Sequence, residues 1–332
     1  ADAWQGEYVA PRDARLAWLT GFSGSAGFCI VLPGIAGVFV DARYRLQVRQ
    51  QVAPVFTPVD WPEVSAGDWL RDHLSEGVVA FDPWLHTAAE IAAIEKALQG
   101  HPVRLQPTEN FVDAVWHDQP GPAIRPAFAH PEELAGESSA AKRARLGAAL
   151  AAAGQATAVL TLPDSICWLL NIRGADLPRN PLVQSFALLH ADGSVDLFAH
   201  AAKFSDALLQ SLGAEVRLAP EEDFAVALTQ LKGPVRVDRG TAPWAVQDLL
   251  SHAGVSFVWG DDPCRLPKAC KNAAEIAATR EAHLRDGAAI AEFLCWFDGR
   301  AEAVCGGAVE TEIGVVTALE GFRRATNQLH DL

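Results

Sequence analysis

Apolar and polar residues alternate along this chain in two rhythms, one of strands and one of helices. Phe28-Cys29-Ile30-Val31-Leu32 is a short apolar run. Pro33-Gly34 turns the chain, and Gly37-Val38-Phe39-Val40-Asp41 rises again, which predicts a hairpin of buried strands. Arg43 to Gln51 carries a helical pattern, and Val78 to Asp82 predicts another strand. Thr87 is placed to cap a helix through about Leu98, with Glu90 at capping-box spacing and Gly100 just past the end. The run from Asp118 to Pro126 contains Pro120, Pro122 and Pro126 and reads as a linker.

A second block follows with a similar beat. An alanine-rich helix from Ser139 to Ala153 stops at Gly154, which tolerates the left-handed conformation of a helix end. Thr157 to Leu162 is a strand. Ser185–His190 and Ser194–Ala199 form a hairpin around Asp192-Gly193. Helices near 204–212, 221–231 and 243–252 alternate with strands near 215–218, 235–238 and 255–258, the signature of an α/β layer. The two blocks share strand, hairpin and helix in the order expected of structural duplicates, but their residues are too different to establish a repeat.

A third block begins near Arg265. After an irregular lead-in, Asn272 caps a long helix and Glu275 completes a capping box. Ile276, Thr279, His283, Ile290, Phe293, Leu294 and Phe297 recur at helical spacing and predict a buried stripe. A second helix is expected from Thr311 to about His330. Two helices cannot enclose a core, so this block reads as incomplete.

Composition narrows the class. The 332 residues are 50% hydrophobic and 20% charged, enough for two or three globular domains. A net charge of −14 disfavours nucleic acid as a partner, and no apolar run is long enough for a membrane-spanning helix. The six cysteines form no C-x-x-C pair. Cys29, Cys167 and Cys295 lie in apolar runs where buried thiols are common, so a reducing, cytoplasmic setting fits better than a disulfide framework. There is no methionine, even at position 1, so the chain is expected to begin inside a fold, just after a first strand.

Candidate chemistry is sparse. No H-E-x-x-H or Walker pattern occurs. Asp261-Asp262 is a paired carboxylate in a loop context, read as structural or solvent-facing. His283 falls on the expected stripe and reads as a core histidine. Gly21-Phe22-Ser23-Gly24-Ser25 nearly matches G-x-S-x-G, but Ser25 replaces the last glycine and a strand follows, so a tight turn is expected. No catalytic and no metal-ligating residue is assigned.

Several segments taken in order nevertheless resemble one family. They are Arg15 to Gly27, Val40-Asp41-Ala42-Arg43-Tyr44, Phe81 to Thr87, Asn110 to Trp116, Asp164 to Gly174, Lys268 to Asn272 and His283 to Ala288. Together they resemble aminopeptidase P, the Xaa-Pro aminopeptidase branch of the creatinase/prolidase ("pita-bread") metallopeptidases, in its long, three-domain, cytosolic form. The resemblance implies an α/β fold of two creatinase-N-terminal-like domains, 1–126 and 127–264. The opening helices of a pita-bread (α+β) catalytic domain would follow at 265–332.

The same resemblance implies an aminopeptidase releasing the N-terminal residue ahead of a proline. It implies two divalent metal ions, manganese first and zinc or cobalt as alternatives, with ligands beyond Leu332. It also implies a peptide substrate, no nucleic acid or membrane partner, and a homodimer in the complete protein. Arg43 matches the arginine of the family's D-G-R-Y element, which contacts the peptide, with Ala42 in place of the glycine. An arginine pairing on the surface at a helix start is the competing reading. Arg173 is read as structural, tying the second domain to its neighbours. A non-catalytic relative that binds peptide or protein is the alternative function, with prolidase or creatinase behind it.

Overall fold

The computed structural model describes residues 2–326. The chain divides into two compact units, residues 1–129 with 139–268, and residues 130–138 with 269–332.

The first unit holds two α/β layers. Strands β1 (Gly27–Leu32) and β2 (Ile35–Val40) form the expected antiparallel hairpin, with Leu32 opposite Ile35 across Pro33-Gly34. Gly34 sits at φ +85°, a conformation that glycine adopts without a Cβ clash. β3 (Phe56–Asp60) adds in parallel to β2. Alternation along β2 sends Phe39 to one core and Val38 and Val40 to another. β4 (Gly77–Phe81), the helix Ala88–Ala97 and β5 (Val103–Pro107) then make a parallel βαβ unit.

The second layer starts with β6 (Phe128–Ala129), which pairs with β8 (Ile172–Arg173). The main sheet contains β7 (Thr157–Leu160), β9 (Phe186–His190), β10 (Val195–Phe198), β11 (Val216–Ala219), β12 (Val235–Val237) and β13 (Phe257–Trp259). Their order is β11-β10-β9-β7-β12-β13, and β9 alone runs against both its neighbours. Helices cover both faces, so β7 is buried at every position. Ala158, Leu160, Ala187 and Leu189 face one core with Leu146, Leu150 and Ile166. Val159, Phe186 and Leu188 face the other with Phe224, Val246 and Leu250.

The two layers share that second core. Trp4, from the N-terminal segment, stacks on Phe186 with centroids 5.4 Å apart, and Trp84 lies 6.0 Å from the same ring. Two helix starts also meet there. The first-turn amides of Trp244 and Ala245 donate to the carbonyls of His86 (2.7 Å) and Pro83 (2.9 Å). Those of Ala88 and Ala89 donate to Ala242 (3.4 Å) and Arg239 (3.0 Å). Each helix start thus supplies its neighbour with acceptors for amides that a helix cannot satisfy internally. β12, the helix Trp244–His252 and β13 form a parallel βαβ unit like the one around Ala88–Ala97.

A buried ion pair fixes the linker to the second layer. Lys203 Nζ donates to Asp176 Oδ2 at 2.8 Å and to the Gln184 carbonyl at 3.0 Å, and both charged side chains are almost fully buried. The Gln184 amide donates to the same Oδ2, and Arg125 of the linker donates its amide to Oδ1. Arg173 donates to the carbonyls of Ile172 and Cys167, tying β8 to the end of the helix Pro163–Leu170.

In the second unit, Asn272 Oδ1 accepts the Glu275 amide and Glu275 returns a carboxylate to the Asn272 amide, as the capping box predicts. The same side chain donates to the carbonyl of Ala135, at the end of the short helix Glu132–Ala135. Gly136 follows at φ +70°, and a Cβ there would lie 2.2 Å from Asn272 Oδ1.

The long helix Ala273–Cys305 departs from expectation on its apolar face. Ile276, His283, Leu294 and Phe297 are exposed, and only Ala289 is fully buried. Among the described residues of this unit, the helices Glu312–Ala325 and Glu132–Ala135 are what pack on it, too little cover for a helix of 33 residues. Cys295 is exposed for the same reason, whereas Cys264, outside any long apolar run, is fully buried. The lead-in is a short helix, Arg265–Ala269. The last helix begins where the sequence predicts, and its expected end near His330 lies outside the described residues.

Removing one partner of a buried ion pair strands the other charge, which costs about 3–5 kcal/mol. Lys203→Ala is therefore expected to lower the stability of the first unit by that order. Urea unfolding followed through tryptophan fluorescence measures it, and an unchanged midpoint would contradict the role given to this pair.

Candidate functional site

Arg43 stands at the end of β2, where the chain turns out of the sheet. Asp41 caps the 3-10 turn Ala42–Tyr44 by accepting the Arg43 amide at 2.9 Å. The same carboxylate receives the guanidinium, at 3.1 Å from Nε and 2.7 Å from Nη2. Nη1 faces Glu7 at 3.9 Å, and the guanidinium lies over the Tyr44 ring at 5.1 Å. The hydrogen bond from Arg43 holds the Asp41 carboxyl below its ordinary value. At 57% side-chain exposure, the guanidinium is paired and still reachable from solvent. The geometry contains the surface ion pair of the competing reading, and Nη1, met only by Glu7 at 3.9 Å, is the edge an incoming acceptor could take.

Around it lies the glycine-rich turn. The Tyr44 hydroxyl and Ser25 Oγ are 2.8 Å apart. Ser23 Oγ accepts from Gln51 at 2.9 Å and from Gln47 at 3.3 Å. The partners of both serines are a phenol and amides, so neither is set up as a nucleophile. The glycines serve close packing. A Cβ on Gly24 would fall 2.2 Å from the Phe22 ring, and one on Gly27 would fall 2.7 Å from the Phe39 carbonyl. This is the tight turn that the sequence predicts.

The remaining candidates resolve without chemistry. Nδ1 of His283 donates to the Thr279 carbonyl one turn back, at 2.8 Å. Asp262 is buried, while the Asp261 carbonyl accepts from Arg236. Burial pushes the Cys29 thiol up to about 12 and that of Cys167 to about 11, which leaves both without thiolate character near neutrality. Among the described residues, no group of three or more His, Cys, Asp or Glu side chains is placed to hold a metal ion. These residues therefore do not fit a metal centre by themselves.

An open groove of about 680 Å³ is lined by Asp82, Trp84, Glu109, Asn110 and Asp113 among others. Its acids are largely committed. Asp82 accepts the Trp84 amide and Asn110, and Asp113 receives a two-point grip from Arg15 at 2.7 and 2.9 Å.

Sequence reading missed one relay. Thr157 Oγ1 lies 3.0 Å from His190 Nδ1, and His190 Nε2 lies 2.7 Å from Asp196 Oδ2. The order hydroxyl, imidazole, carboxylate is that of a hydrolase triad. Thr157 is only 3% exposed in the sheet, however, so its hydroxyl cannot meet a substrate. The relay is a ladder across β7, β9 and β10, extended by Arg217 onto Asp196 at 2.7 Å. The only signal for it is the alternation of polar residues along a hairpin, which is common to many sheets.

Residues 8–115 and residues 118–275 each match the family described as Creatinase/Prolidase N-terminal domain. The chain belongs to the creatinase/prolidase N-terminal domain family. The two matches follow one another along the chain, and the second extends past the second sheet.

Among relatives, a protein of Coccidioides posadasii (strain C735) named a probable Xaa-Pro aminopeptidase P is 33% identical over 317 residues. That match covers 90% of this chain and 48% of the relative. One from Aspergillus oryzae (strain RIB 40) bearing the same name is 31% identical over 353 aligned positions, covering 100% of this chain and 52% of its own length. The chain thus spans about half the length of the curated relatives it matches. A crystal structure of X-prolyl aminopeptidase from Caenorhabditis elegans, described as a cytosolic enzyme with a di-nuclear active site, superposes with a TM-score of 0.91 at 27% identity. It covers all of this chain and 55% of the other. No helix among the described residues is long and apolar enough to cross a membrane.

The sheet ladder carries a pH dependence. Burial alone would raise the Asp196 carboxyl, but hydrogen bonds from Arg217 and His190 outweigh it and hold the group below its ordinary value. A depressed carboxyl adds stability above its unfolded value, near 3.9, and loses it as pH falls through the folded value. Asp196→Asn is expected to remove that part of the acid limb. Melting temperature against pH from 2 to 6 checks it, and parallel curves for the two proteins would refute the assignment.

Proposed function

We propose that this chain is the non-catalytic, substrate-guiding part of an aminopeptidase that releases the N-terminal residue from peptides with proline in second position. The observation that carries this reading is the whole-chain likeness to the Caenorhabditis elegans X-prolyl aminopeptidase, which runs through every element rather than through one motif. In this reading the chain comprises two creatinase-type α/β domains, at 1–126 and 127–264. The helices from 265 onward open a pita-bread domain that bears the chemistry.

The two metal ions of the reaction, manganese before zinc or cobalt, belong to ligands outside the described residues. When bound, such a pair supplies a hydroxide nucleophile at neutral pH. The substrate is a peptide, the working compartment the cytoplasm, and the complete protein a homodimer.

Arg43 is the residue that this part of the enzyme offers to substrate. Its open guanidinium edge donates to a peptide carbonyl or C-terminal carboxylate, while Asp41 holds the other edge and sets the direction of the fork. A rigid β2 and the cap at Asp41 fix the base of the side chain. Binding by Arg43 aligns the peptide and leaves the bond-breaking step to the metal site.

Two expected outcomes follow. The complete protein cleaves an Xaa-Pro-Xaa tripeptide, loses activity on chelation and regains it with manganese. Cleavage indifferent to the chelator rejects the metal mechanism, and no cleavage with any metal leaves only a binding module. Arg43→Ala is expected to raise KM for the tripeptide roughly tenfold or more with a smaller change in kcat, as loss of one charge-assisted hydrogen bond implies. Arg43→Lys should recover only part of this, because an ammonium lacks the planar fork. An unchanged KM in Arg43→Ala returns the residue to a surface ion pair.

A further inference from the structure

Where the chain leaves the second sheet, three elements bring four polar side chains together out of reach of water. Asp238 directly follows β12, Ser165 lies in the first turn of the helix Pro163–Leu170, and Asp262 and Cys264 lie in the segment before the helix Arg265–Ala269. Ser165 and Cys264 are fully buried, and Asp262 and Asp238 are 4% and 6% exposed.

The two carboxyl groups are served unequally. Asp238 accepts the Gly240 amide on Oδ1 at 2.8 Å, and on Oδ2 the Asp262 amide at 2.9 Å with Arg265 Nη1 at 3.5 Å. It is provided for as an anion. Asp262 accepts the Cys264 amide on Oδ1 at 2.7 Å, while its Oδ2 has no hydrogen-bond partner. The Ser165 hydroxyl is equally unsatisfied. The hydroxyl finds no partner at full hydrogen-bond geometry, yet it lies near enough to act on the Asp262 carboxyl as a donor, and that influence lowers it. A buried carboxylate with one served oxygen, next to a second carboxylate, is costly, and neutralising it by protonation is the cheapest relief.

We propose that Asp262 is a proton-binding site: its Oδ2 carries a proton and donates it to Ser165 Oγ, satisfying both orphan atoms with one hydrogen bond and making this junction loosen as pH rises. Charges that face the cluster do not offset this assignment. Arg265 is turned to Asp238, and Lys268 pairs with Asp164. Lys142 and Arg145, on the helix Ser139–Ala152, act on Cys264, whose thiol burial keeps in its neutral form. Burial is the largest influence on Asp262 and moves it upward with Asp238 adding to it, and together they outweigh the lowering by Ser165 and Cys264. The opposite arrangement, Ser165 donating to a charged Asp262, satisfies the same two atoms but reverses the pH dependence.

The sign decides between them. A carboxyl raised in the folded state gives stability that is fully present below the unfolded value, near 3.9, and is lost as pH rises through the folded value. Asp262→Asn keeps the shape and a donor on that side but cannot titrate. In urea unfolding of the full protein between pH 4 and 9, the ratio of parent to variant unfolding constants should rise by up to about tenfold per pH unit until the folded value is passed, then level off. A variant whose deficit grows with pH, or one that tracks the parent throughout, overturns the proposal. Should Asp262→Asn fail to fold, Ser165→Ala serves. Its deficit against the parent should be largest at low pH, where the acid has lost its acceptor, and a deficit largest at high pH refutes the assignment. Infrared spectra of the parent and Ser165→Ala near neutrality give a direct reading. A buried carboxylic C=O band that shifts between them supports the proton on Asp262, and its absence from the parent overturns it.

Discussion

The first unit depends on two helix starts that face each other. Thr87 caps only the Glu90 amide and Pro243 caps none, and the Pro83–Thr87 and Arg239–Pro243 turns hand carbonyls across to the opposite helix. Thr87 and Pro243 also form an isolated antiparallel bridge, so the exchange runs through corresponding points of two like βαβ units. Neither layer can be moved without exposing polar backbone on both. The aromatic cluster of Trp4, Trp84, Phe186 and Phe224 fills the space beneath, with Phe186 and Phe224 stacked at 4.5 Å. Directional capping sets the register between the layers, and the rings supply the area that holds them there.

This arrangement explains where charge is tolerated inside. Lys203 and Asp176 are buried because each meets several partners, and one of those partners is the backbone of the linker. Lys142 is buried for a related reason. Its ammonium meets the Trp168 carbonyl, the Asn171 side chain and the face of the Trp168 ring, at the left-handed end of the helix Pro163–Leu170. In both places a cation secures an irregular backbone segment that no ladder would hold.

Much of this architecture was readable from residues with local meaning. Pro33-Gly34 and Asp192-Gly193 fix hairpins, and Thr87 with Glu90 and Asn272 with Glu275 announce helix starts, because each of those signals acts within a few residues. The reciprocal capping was hidden, since backbone amides and carbonyls carry no side-chain signature. Helical spacing from Ile276 to Phe297 marks which face wants cover but says nothing of what covers it, and that is where the reading of His283 and Cys295 went astray. Asp261-Asp262 before a proline reads as a loop, and it is one. That the second carboxyl points inward depends on β12 and the helix Pro163–Leu170, each far away in sequence. Arg43 stood out only through resemblance, because one exposed arginine beside one aspartate is ordinary on any surface.

The double duty of Asn272 bears on how the chain is made. Its side chain closes the short helix Glu132–Ala135 across 137 residues of sequence, so the second α/β layer is threaded as an insert between two pieces of the other unit. During synthesis the earlier piece leaves the ribosome well before its partner. At about 5–20 residues per second it waits on the order of ten seconds while the whole sheet is laid down. The Ala135 carbonyl goes without this amide through that interval, and the arrival of Asn272 sets the moment at which the two pieces of the second unit join.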